Sequence, residues 1–340
     1  MSKKEREKIV ERVTTDLHRG LLEWNESSSS ESRVLFNEPL TKRSSLRIGG
    51  LASFWIEVGS RKDLVDLMAL LGDAPFSCVG LGSNSLFPDA GIHFPLLRFV
   101  GELATWQVQA DGSEVVVQAG AVNAHLVRGL LKENLVGAEF LALIPGTFGG
   151  AVALNAGTRE KDLASILAAV DVLRFDDLKK CYLFEELEAA QIELEYRKAK
   201  LPPKSVVLGG RIHVESGDAV EAKRRVKADK DSRNQTQPYR LASAGSTFAN
   251  PPGDYAGRLI EAVGLKGVAV GGARVSELHA NFFINEENAS AEDFLGLMAL
   301  ARYRVRESFG IELRPEVKFV GVDGFARMRD LEEEWKSKDV

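Results

Sequence analysis

The stretch IPGTFGGAVALNAG, residues 144–157, is the most informative for the fold class, because it combines several glycines with a strongly apolar sequence. Gly149 and Gly150 have no side chain, so a ligand can approach the backbone closely there. The run lacks the Gly-Lys-Ser/Thr ending of a P-loop, so nucleoside triphosphate hydrolysis is not indicated. A tightly packed crossover without a ligand is the alternative. The charge-free segment 140–158 is long enough for a membrane helix, but Pro145 and four glycines would break one, and we reject a membrane span.

A second glycine loop, Val79 to Phe87, follows a short apolar strand candidate. It offers backbone amides beside small polar side chains, a combination that can cradle a pyrophosphate. Ser85 stands where the third glycine of a Rossmann fingerprint would be, so that fold is not indicated. The loop alone is equally compatible with a plain turn. The two loops, separated by a strand candidate that ends in Gly120, could together hold an extended dinucleotide.

The composition is that of an ordinary globular protein with several domains, since 340 residues exceed the usual size of one core. A formal net charge of -5 argues against nucleic-acid binding but leaves room for a local basic pocket around an anion. Cys78 and Cys181 lie far apart and without clustered His partners, so we expect neither a disulfide framework nor a metal site. The N-terminus lacks the apolar run of a secretory signal, and we expect a cytoplasmic protein.

The hydrophobic pattern divides the chain into four parts. Residues 1–37 are interpreted as an amphipathic helix over 5–22 followed by a flexible serine linker at 27–30. Residues 38–215 alternate β-rich runs with helical stretches, and residues 216–325 read as a smaller α+β domain with a returning strand. Residues 326–340 are taken as a C-terminal tail, whose run DLEEEWKSKDV (330–340) is predicted to be a solvated helix.

Several rare strings then follow one another in the order seen in the UDP-N-acetylenolpyruvoylglucosamine reductase family. The chain resembles this family from about residue 40 to 321, in the strings SSLRIGG (44–50), GLGSN (80–84), QAG (118–120), IPGTFGGAVALNAG (144–157), EYR (195–197), SAGSTFANP (243–251), GLKG (264–267), GGARVSELHANFFIN (271–285) and PEVKFVG (315–321). The string SELHANF is similar to the variant of the family with the shorter substrate domain.

The resemblance implies an α+β protein, with an FAD-binding domain of the vanillyl-alcohol oxidase type followed by a smaller α+β substrate-binding domain. It implies non-covalent FAD, NADPH as the reductant, and UDP-N-acetylglucosamine enolpyruvate as the substrate. The product would be UDP-N-acetylmuramate, a peptidoglycan precursor. We expect no nucleic acid, no membrane and no obligate protein partner.

The resemblance assigns catalytic roles to Arg197, Ser246 and Glu316. Hydride added to the terminal carbon of the enolpyruvyl group drives negative charge onto the neighbouring carbon and its carboxylate. A guanidinium suits that carboxylate, and a serine hydroxyl held in contact can protonate a far more basic carbanion. Glu316, if protonated, can hydrogen-bond the developing charge. The alternatives are a surface ion pair for Arg197, a turn or cap serine for Ser246, and an exposed strand carboxylate paired with Lys318 or Arg314 for Glu316.

Two further sets of residues follow from the matching strings. The residues predicted to bind the cofactor are Gly80, Gly82, Ser83, Asn84, Ser85, Gly120, Pro145, Gly146, Thr147, Gly149 and Gly150. The residues predicted to bind the substrate are Gln237, Asn250, Lys266, His279 and Asn281. A core histidine and a turn asparagine are the ordinary alternatives for the last two.

The chain departs from the family pattern at three places: Ser44-Ser45 replaces Asn-Thr, residues 158–161 lack a small and glycine-rich continuation, and Lys198-Ala199-Lys200 lacks a serine. None removes a catalytic residue. The alternative function on the same fold is an FAD-linked oxidase of an alcohol or hydroxy acid. A flavin-binding or nucleotide-sugar-binding module without turnover is a further alternative.

Overall fold

A computed structural model describes residues 16–158, 160–321 and 323–338, and they form two compact units. The first unit comprises the described residues of 1–36, 54–80 and 94–219, and the second those of 37–53, 81–93 and 220–340. The chain passes into the second unit within its first strand and returns within its second. The predicted domain ranges 38–215 and 216–325 are continuous, whereas these units interleave, so those boundaries stay a prediction.

Helices and strands alternate along the described residues, as the α+β fold class requires. The helices are α1 (16–27), α2 (Arg61–Leu71), α3 (Asn123–Leu130), α4 (Phe148–Ala153), α5 (Ala219–Thr236), α6 (Ala256–Ala262), α7 (Ala291–Phe309) and α8 (Gly324–Lys338). Short 3-10 helices cover Leu40–Lys42, Gly101–Ala104, Glu139–Leu143, Leu163–Ser165 and Ala189–Gln191. The strands are β1 (Arg33–Pro39), β2 (Leu51–Val58), β3 (Ser77–Cys78), β4 (Ser85–Leu86), β5 (Leu96–Phe99), β6 (Trp106–Val108), β7 (Glu114–Gln118), β8 (Leu135–Val136), β9 (Leu167–Asp176), β10 (Cys181–Glu188), β11 (Glu193–Glu195), β12 (Lys198–Lys200), β13 (Ser205–His213), β14 (Glu215–Ser216), β15 (Ala242–Ser246), β16 (Ala269–Val270), β17 (Ala273–Val275), β18 (Phe282–Asn285) and β19 (Lys318–Phe319).

The first unit contains an antiparallel sheet in the order β10-β9-β13-β7-β6. Alternate residues of β7, Val115 and Val117, are buried because successive side chains point to opposite faces of the sheet. A second sheet has the order β1-β2-β5-β3, with β2 and β3 parallel to β5. Apolar side chains of α1, α2, β2 and β5 pack together as a core of this unit. The period of two that predicted strands therefore also decides which residues are buried.

The serine run after α1 differs from the expected flexible linker. The Ser29 and Ser32 hydroxyls donate to the Asp63 carboxylate at 2.5 and 2.7 Å, and the Ser29 amide donates to it as well. These bonds lower the pKa of Asp63 against the opposing effect of its desolvation. The linker interpretation is therefore corrected, because the run is anchored at the first turn of α2. The part of the predicted helix before residue 16 lies outside the described residues.

The second unit is built on an antiparallel sheet in the order β15-β18-β17-β16, covered by α7. Helix α7 begins at a capping box, in which Ser290 and Asp293 each accept a hydrogen bond from the other's backbone amide. It ends at Gly310, which adopts the left-handed conformation. Phe294 and Met298 on α7 are fully buried in the core of this unit.

Helix α8 is packed, so the prediction of a solvated tail is wrong for its described part. Met328 is fully buried, and Trp335 donates its indole N–H to the Gly296 carbonyl at 3.1 Å. Arg302 of α7 forms an ion pair with Glu332, although both side chains are below a tenth exposed. Charged residues dominate the sequence of the tail, which is why it was predicted to be solvated. One of them, Glu332, is nevertheless buried against Arg302. None of the helices among the described residues is long and apolar enough to cross a bilayer.

Candidate functional site

A cavity of about 500 Å³ lies inside the first unit, within the size range of ligand pockets. Both predicted glycine loops contribute to its wall. The cofactor-binding candidates that line it are Gly80, Gly120, Thr147, Gly149 and Gly150. The structure therefore brings together residues that lie up to 70 positions apart in the chain.

Close packing explains why Gly80 and Gly149 are glycines. A Cβ on Gly80 would lie 2.6 Å from the Thr147 hydroxyl, so the two loops are in direct contact. A Cβ on Gly149 would lie 2.8 Å from that of Ala119. The Gly149 amide donates to the Ala119 carbonyl at 2.9 Å, which fixes the loop against the end of β7. Pro145 and Gly146 belong to the same loop but do not line the cavity.

Asn123, at the start of α3, holds the second glycine loop. Its amide donates to the Gly146 carbonyl at 3.1 Å, and its side-chain Nδ2 donates to the Ile144 carbonyl at 3.2 Å. The side chain is buried, and its Oδ1 accepts no hydrogen bond from the part of the chain that the structure describes. Asn123 does not line the cavity, so its contribution is to hold the backbone of the loop that does.

Aromatic rings close another side of the cavity. The Tyr182 and Phe175 rings are 5.0 Å apart, Phe76 lies 6.3 Å from Tyr182, and the Lys204 ammonium stands 5.5 Å from the Phe175 ring centre. Cys78 borders the cavity and is exposed there, so a small molecule can reach its thiol, although nearby protein atoms desolvate the charged form. This desolvation raises the pKa of Cys78 to about 12, which keeps the thiol neutral. The wall is therefore mostly apolar, with Asp73 and Lys204 as its charged residues, and Lys204 is paired with Asp177 at 2.5 Å.

The rest of the first glycine loop belongs to the second unit. Gly82 has φ of +64°, and a Cβ there would lie 1.9 Å from the Arg43 carbonyl oxygen, so a side chain is excluded. Ser85 lies in β4, which pairs with β19 in parallel through Ser85 and Lys318. Asn84 donates from Nδ2 to the Glu316 carbonyl at 3.0 Å, while its buried Oδ1 has no partner among the described residues.

Arg197 lies at the tip of the β11–β12 hairpin in the first unit. Its φ of +59° is left-handed, and its guanidinium stands 4.9 Å from the Tyr196 ring centre. Asn155 supports the hairpin, because its Nδ2 donates to the Glu195 carbonyl at 3.1 Å. Lys200, one of the residues at which the chain departs from the family pattern, forms an ion pair with Glu195 at 3.0 Å and so contributes to the hairpin itself.

Ser246 and Glu316 lie on hydrogen-bonded segments of the second unit. Strand β15 carries a one-residue bulge against β18 between Ser243 and Ser246, and Gly245 supplies a φ of +75° there. A bulge changes the direction of the side chain that follows it. The Glu316 amide donates to the Thr247 carbonyl at 2.9 Å, next to Ser246. Two of the three predicted catalytic residues therefore share one compact unit, and Arg197 belongs to the other.

Asn281 is a structural clamp by its contacts. It is buried, its Nδ2 donates to the Phe248 carbonyl at 2.7 Å, and its Oδ1 accepts from the Phe248 amide at 3.0 Å. The Thr247 amide also donates to the Asn281 carbonyl at 2.8 Å. These bonds hold the segment directly after Ser246, which agrees with the structural alternative for this residue.

The other predicted substrate residues lie at the surface or partly buried in the second unit. The Lys266 ammonium pairs with Glu261 at 2.9 Å, and the Asn250 Oδ1 accepts the Ala256 amide at the start of α6. The His279 ring lies 4.9 Å from that of Phe282. The Gln237 amide donates to the Arg233 carbonyl at the end of α5. These contacts leave their predicted role in substrate binding a prediction.

The first unit fits the FAD that the resemblance implies. Its cavity has a backbone wall where side chains are excluded, which suits a pyrophosphate, and an apolar aromatic side, which suits the ring systems of a dinucleotide. Sequence analysis did not identify Asn123, Asn155 or Tyr182 as parts of this region. Asn155 stood inside a quoted string, but Asn123 and Tyr182 carry no signal without the fold. Within the described ranges, no group of His, Cys, Asp or Glu side chains could hold a metal ion.

Comparisons with known proteins identify both parts of the chain. An FAD binding domain matches residues 52–176, and the C-terminal domain of UDP-N-acetylenolpyruvoylglucosamine reductase matches residues 237–320. The chain is 41% identical to the UDP-N-acetylenolpyruvoylglucosamine reductase of Anaeromyxobacter sp. (strain Fw109-5) over 85% of this chain and 89% of that protein. It is also 41% identical to that of Myxococcus xanthus (strain DK1622), over 85% and 92%.

A solved structure agrees with these relatives. The crystal structure of the Thermus caldophilus UDP-N-acetylenolpyruvylglucosamine reductase matches with a TM-score of 0.72 and 34% identity, covering 85% of this chain and 99% of that one. The predicted fold class, the FAD-binding domain and the family resemblance are thereby confirmed, and the protein is an oxidoreductase. The chain belongs to the UDP-N-acetylenolpyruvoylglucosamine reductase family.

Proposed function

We propose that this protein uses NADPH and FAD to reduce the enolpyruvyl group of UDP-N-acetylglucosamine enolpyruvate, giving UDP-N-acetylmuramate for peptidoglycan synthesis. The observation that carries the proposal is the hydrogen bond from the Glu316 amide to the Thr247 carbonyl, directly after the Ser246 bulge, inside the region that matches the reductase C-terminal domain. The family and the FAD-binding domain support the redox chemistry, and the names of the relatives support the substrate.

The chain's own residues divide the work of adding a hydride and a proton across the double bond. FAD, when bound, would supply the hydride chemistry, by which a hydride from NADPH would reach the terminal carbon of the enolpyruvyl group. Arg197 stabilises the negative charge that then grows on the substrate carboxylate. Ser246 donates its hydroxyl proton to the carbon beside that carboxylate and is afterwards reprotonated from solvent. Glu316 in its protonated form donates a hydrogen bond to the same carboxylate.

Binding is assigned to the two predicted sets of residues. The glycine loops around Gly80 and Gly149 hold FAD through backbone contacts, since side chains are excluded there. Lys266 and His279 offer a cation and a ring to the nucleotide sugar. Asn281 acts through the Phe248 backbone rather than by touching the substrate.

The test is an anaerobic titration of the purified protein followed by its visible spectrum. We expect a yellow protein that NADPH bleaches and that UDP-N-acetylglucosamine enolpyruvate recolours. Bleaching by NADPH with recolouring by oxygen alone would replace the reductase with an oxidase on the same fold. A protein that stays colourless after incubation with FAD would contradict the cofactor assignment.

A further inference from the structure

We infer that Ser45 and Asn84 are positioning residues, which fix the segments carrying Ser246 and Glu316 to the glycine loop around Gly82. This inference rests on the proposed function for its kinetic consequences, but its structural content stands on contacts inside the second unit. Ser45 is one of the places where the chain departs from the family pattern. Asn84 is also one of the residues predicted to bind the cofactor.

Ser45 connects the glycine loop to the strand of Ser246. Its amide donates to the Gly82 carbonyl at 3.1 Å, and its hydroxyl donates to the Ser243 carbonyl at 2.6 Å. A hydroxyl has one proton. The Ser83 and Gly82 carbonyls stand farther from it, at 3.3 and 3.4 Å, so Ser243 is the preferred acceptor. Ser243 is the last paired residue before the bulge, and Ser246 is the first after it.

Asn84 holds Glu316 from the other side. Its Nδ2 donates to the Glu316 carbonyl at 3.0 Å, and its own carbonyl accepts the Lys318 amide at 2.9 Å. The Glu316 amide is taken by the Thr247 carbonyl. Both backbone polar groups of Glu316 are therefore used, one by the glycine loop and one by the residue next to Ser246.

The two connections meet on either side of Ser246. One runs from Gly82 through Ser45 to Ser243, and the other runs from Asn84 through Glu316 to Thr247. Gly82 itself is fixed, because a Cβ there would overlap the Arg43 carbonyl. The glycine loop around Gly82 thus sets the position of the proposed proton donor and of the carboxyl group through hydrogen bonds.

The Ser45 bond is suited to positioning more than to folding. Ser45 is exposed, and one neutral hydrogen bond contributes about 0.5–1.5 kcal/mol to stability. Its loss should leave the unit folded. A displacement of a reacting group by about 1 Å, in contrast, can slow a reaction by about a hundredfold. A small change at Ser45 should therefore affect proton donation much more than stability.

The experiment compares three variants in separate half-reactions. Ser45→Ala removes the hydroxyl, and Ser45→Thr keeps it. Ser53→Ala is the matched control, since it removes a hydroxyl of the same unit that forms a hydrogen bond with the His93 ring at 3.0 Å. Stopped flow measures flavin reduction by NADPH and, separately, reoxidation of the reduced flavin by UDP-N-acetylglucosamine enolpyruvate.

For Ser45→Ala we expect reduction by NADPH to stay within about twofold of wild type and reoxidation to slow by about tenfold, an effect of local misplacement. Ser45→Thr and Ser53→Ala should keep both rates within about twofold. Equal slowing of both half-reactions, an unchanged reoxidation rate, or a failure of threonine to restore it would overturn the inference.

Asn84→Ala is a fourth variant, and amide hydrogen exchange is the readout that does not need turnover. Asn84→Ala should increase exchange in residues 316–318, and Ser45→Ala should increase it in residues 243–247, with threonine restoring it. Unchanged exchange in both segments would refute the inference even in an active enzyme. If the wild type fails to reduce the sugar, the proposed function is wrong, and the exchange data still decide the inference.

Discussion

The glycines of the first unit and the glycine beside Ser246 serve different purposes. Gly149 has no room for a Cβ because Ala119 lies 2.8 Å from where it would be, whereas a Cβ on Gly245 would meet nothing within 4 Å. Gly245 is required instead by its φ of +75°, which builds the bulge before Ser246. Gly149 allows the cavity wall to pack closely, whereas Gly245 sets the direction of the Ser246 side chain. Alanine should therefore damage these two sites in different ways.

The largest effect is expected for Ser246→Ala. The variant should be reduced by NADPH at the wild-type rate, while reoxidation by the enolpyruvyl sugar slows by about a thousandfold, within the usual range for a lost acid catalyst. Rapid mixing of each half-reaction measures both rates. Equal slowing of the two would remove Ser246 from the role of proton donor, since the hydroxyl acts only on the carbanion.

Asn281→Ala should be the most destabilising of the variants. It leaves the Phe248 amide and carbonyl without their buried partners, and each such group costs about 1–3 kcal/mol. Chemical denaturation of the apoprotein should therefore show a loss of about 3 kcal/mol. A variant that keeps wild-type stability but binds the nucleotide sugar poorly would instead support the original prediction that Asn281 contacts the substrate.

Gly149→Ala tests whether Gly149 is required by lack of space for a Cβ, and Gly150→Ala is its matched control. We expect Gly149→Ala to lose about 1–3 kcal/mol by overpacking against Ala119 and to bind FAD more weakly. A Cβ on Gly150 would stand 3.8 Å from its nearest atom, the Thr147 hydroxyl, so this variant should keep its stability. Melting of both apoproteins and titration with FAD measure the difference. Equal losses for the two would contradict the steric explanation.

Gly245→Ala tests the conformational half, and Gly253→Ala is the control because it too is left-handed with free space around its Cβ. Both should lose about 1–2 kcal/mol of stability from the strained φ. Only Gly245→Ala should also slow reoxidation by the sugar. A similar reoxidation rate for the two variants would mean that the bulge does not aim Ser246.

The smallest effect concerns Cys78 at the cavity wall. Because its pKa is raised to about 12, its thiolate fraction at pH 8 is small and grows about tenfold for each pH unit up to that value. Alkylation of Cys78 in the apoprotein, followed by mass spectrometry, should rise accordingly. Both cysteines are exposed, but only Cys78 lines the cavity, so FAD should protect Cys78 and leave Cys181 reactive. Labelling of Cys78 that FAD does not reduce would place the cofactor away from this wall.

Local sequence patterns and the family strings predicted those features that depend on residues close together in the chain. The period of two in β7 gave a strand with alternate burial, and the glycine strings gave the cavity wall. The tail was mispredicted because the burial of Glu332 depends on Arg302, thirty residues away in the chain. The contacts of Asn123, Asn155 and Asn281 were invisible for the same reason, since a buried amide is defined by its partners and not by its neighbours in sequence.

The most direct test of the central claim is a single turnover without oxygen. Enzyme reduced with limiting NADPH is mixed with UDP-N-acetylglucosamine enolpyruvate, and the flavin spectrum and the nucleotide sugars are followed together. We predict one molecule of UDP-N-acetylmuramate for each flavin that recovers its colour. A reduced flavin that stays bleached with the sugar and recovers only in air, with no new nucleotide sugar, would contradict the reductase assignment.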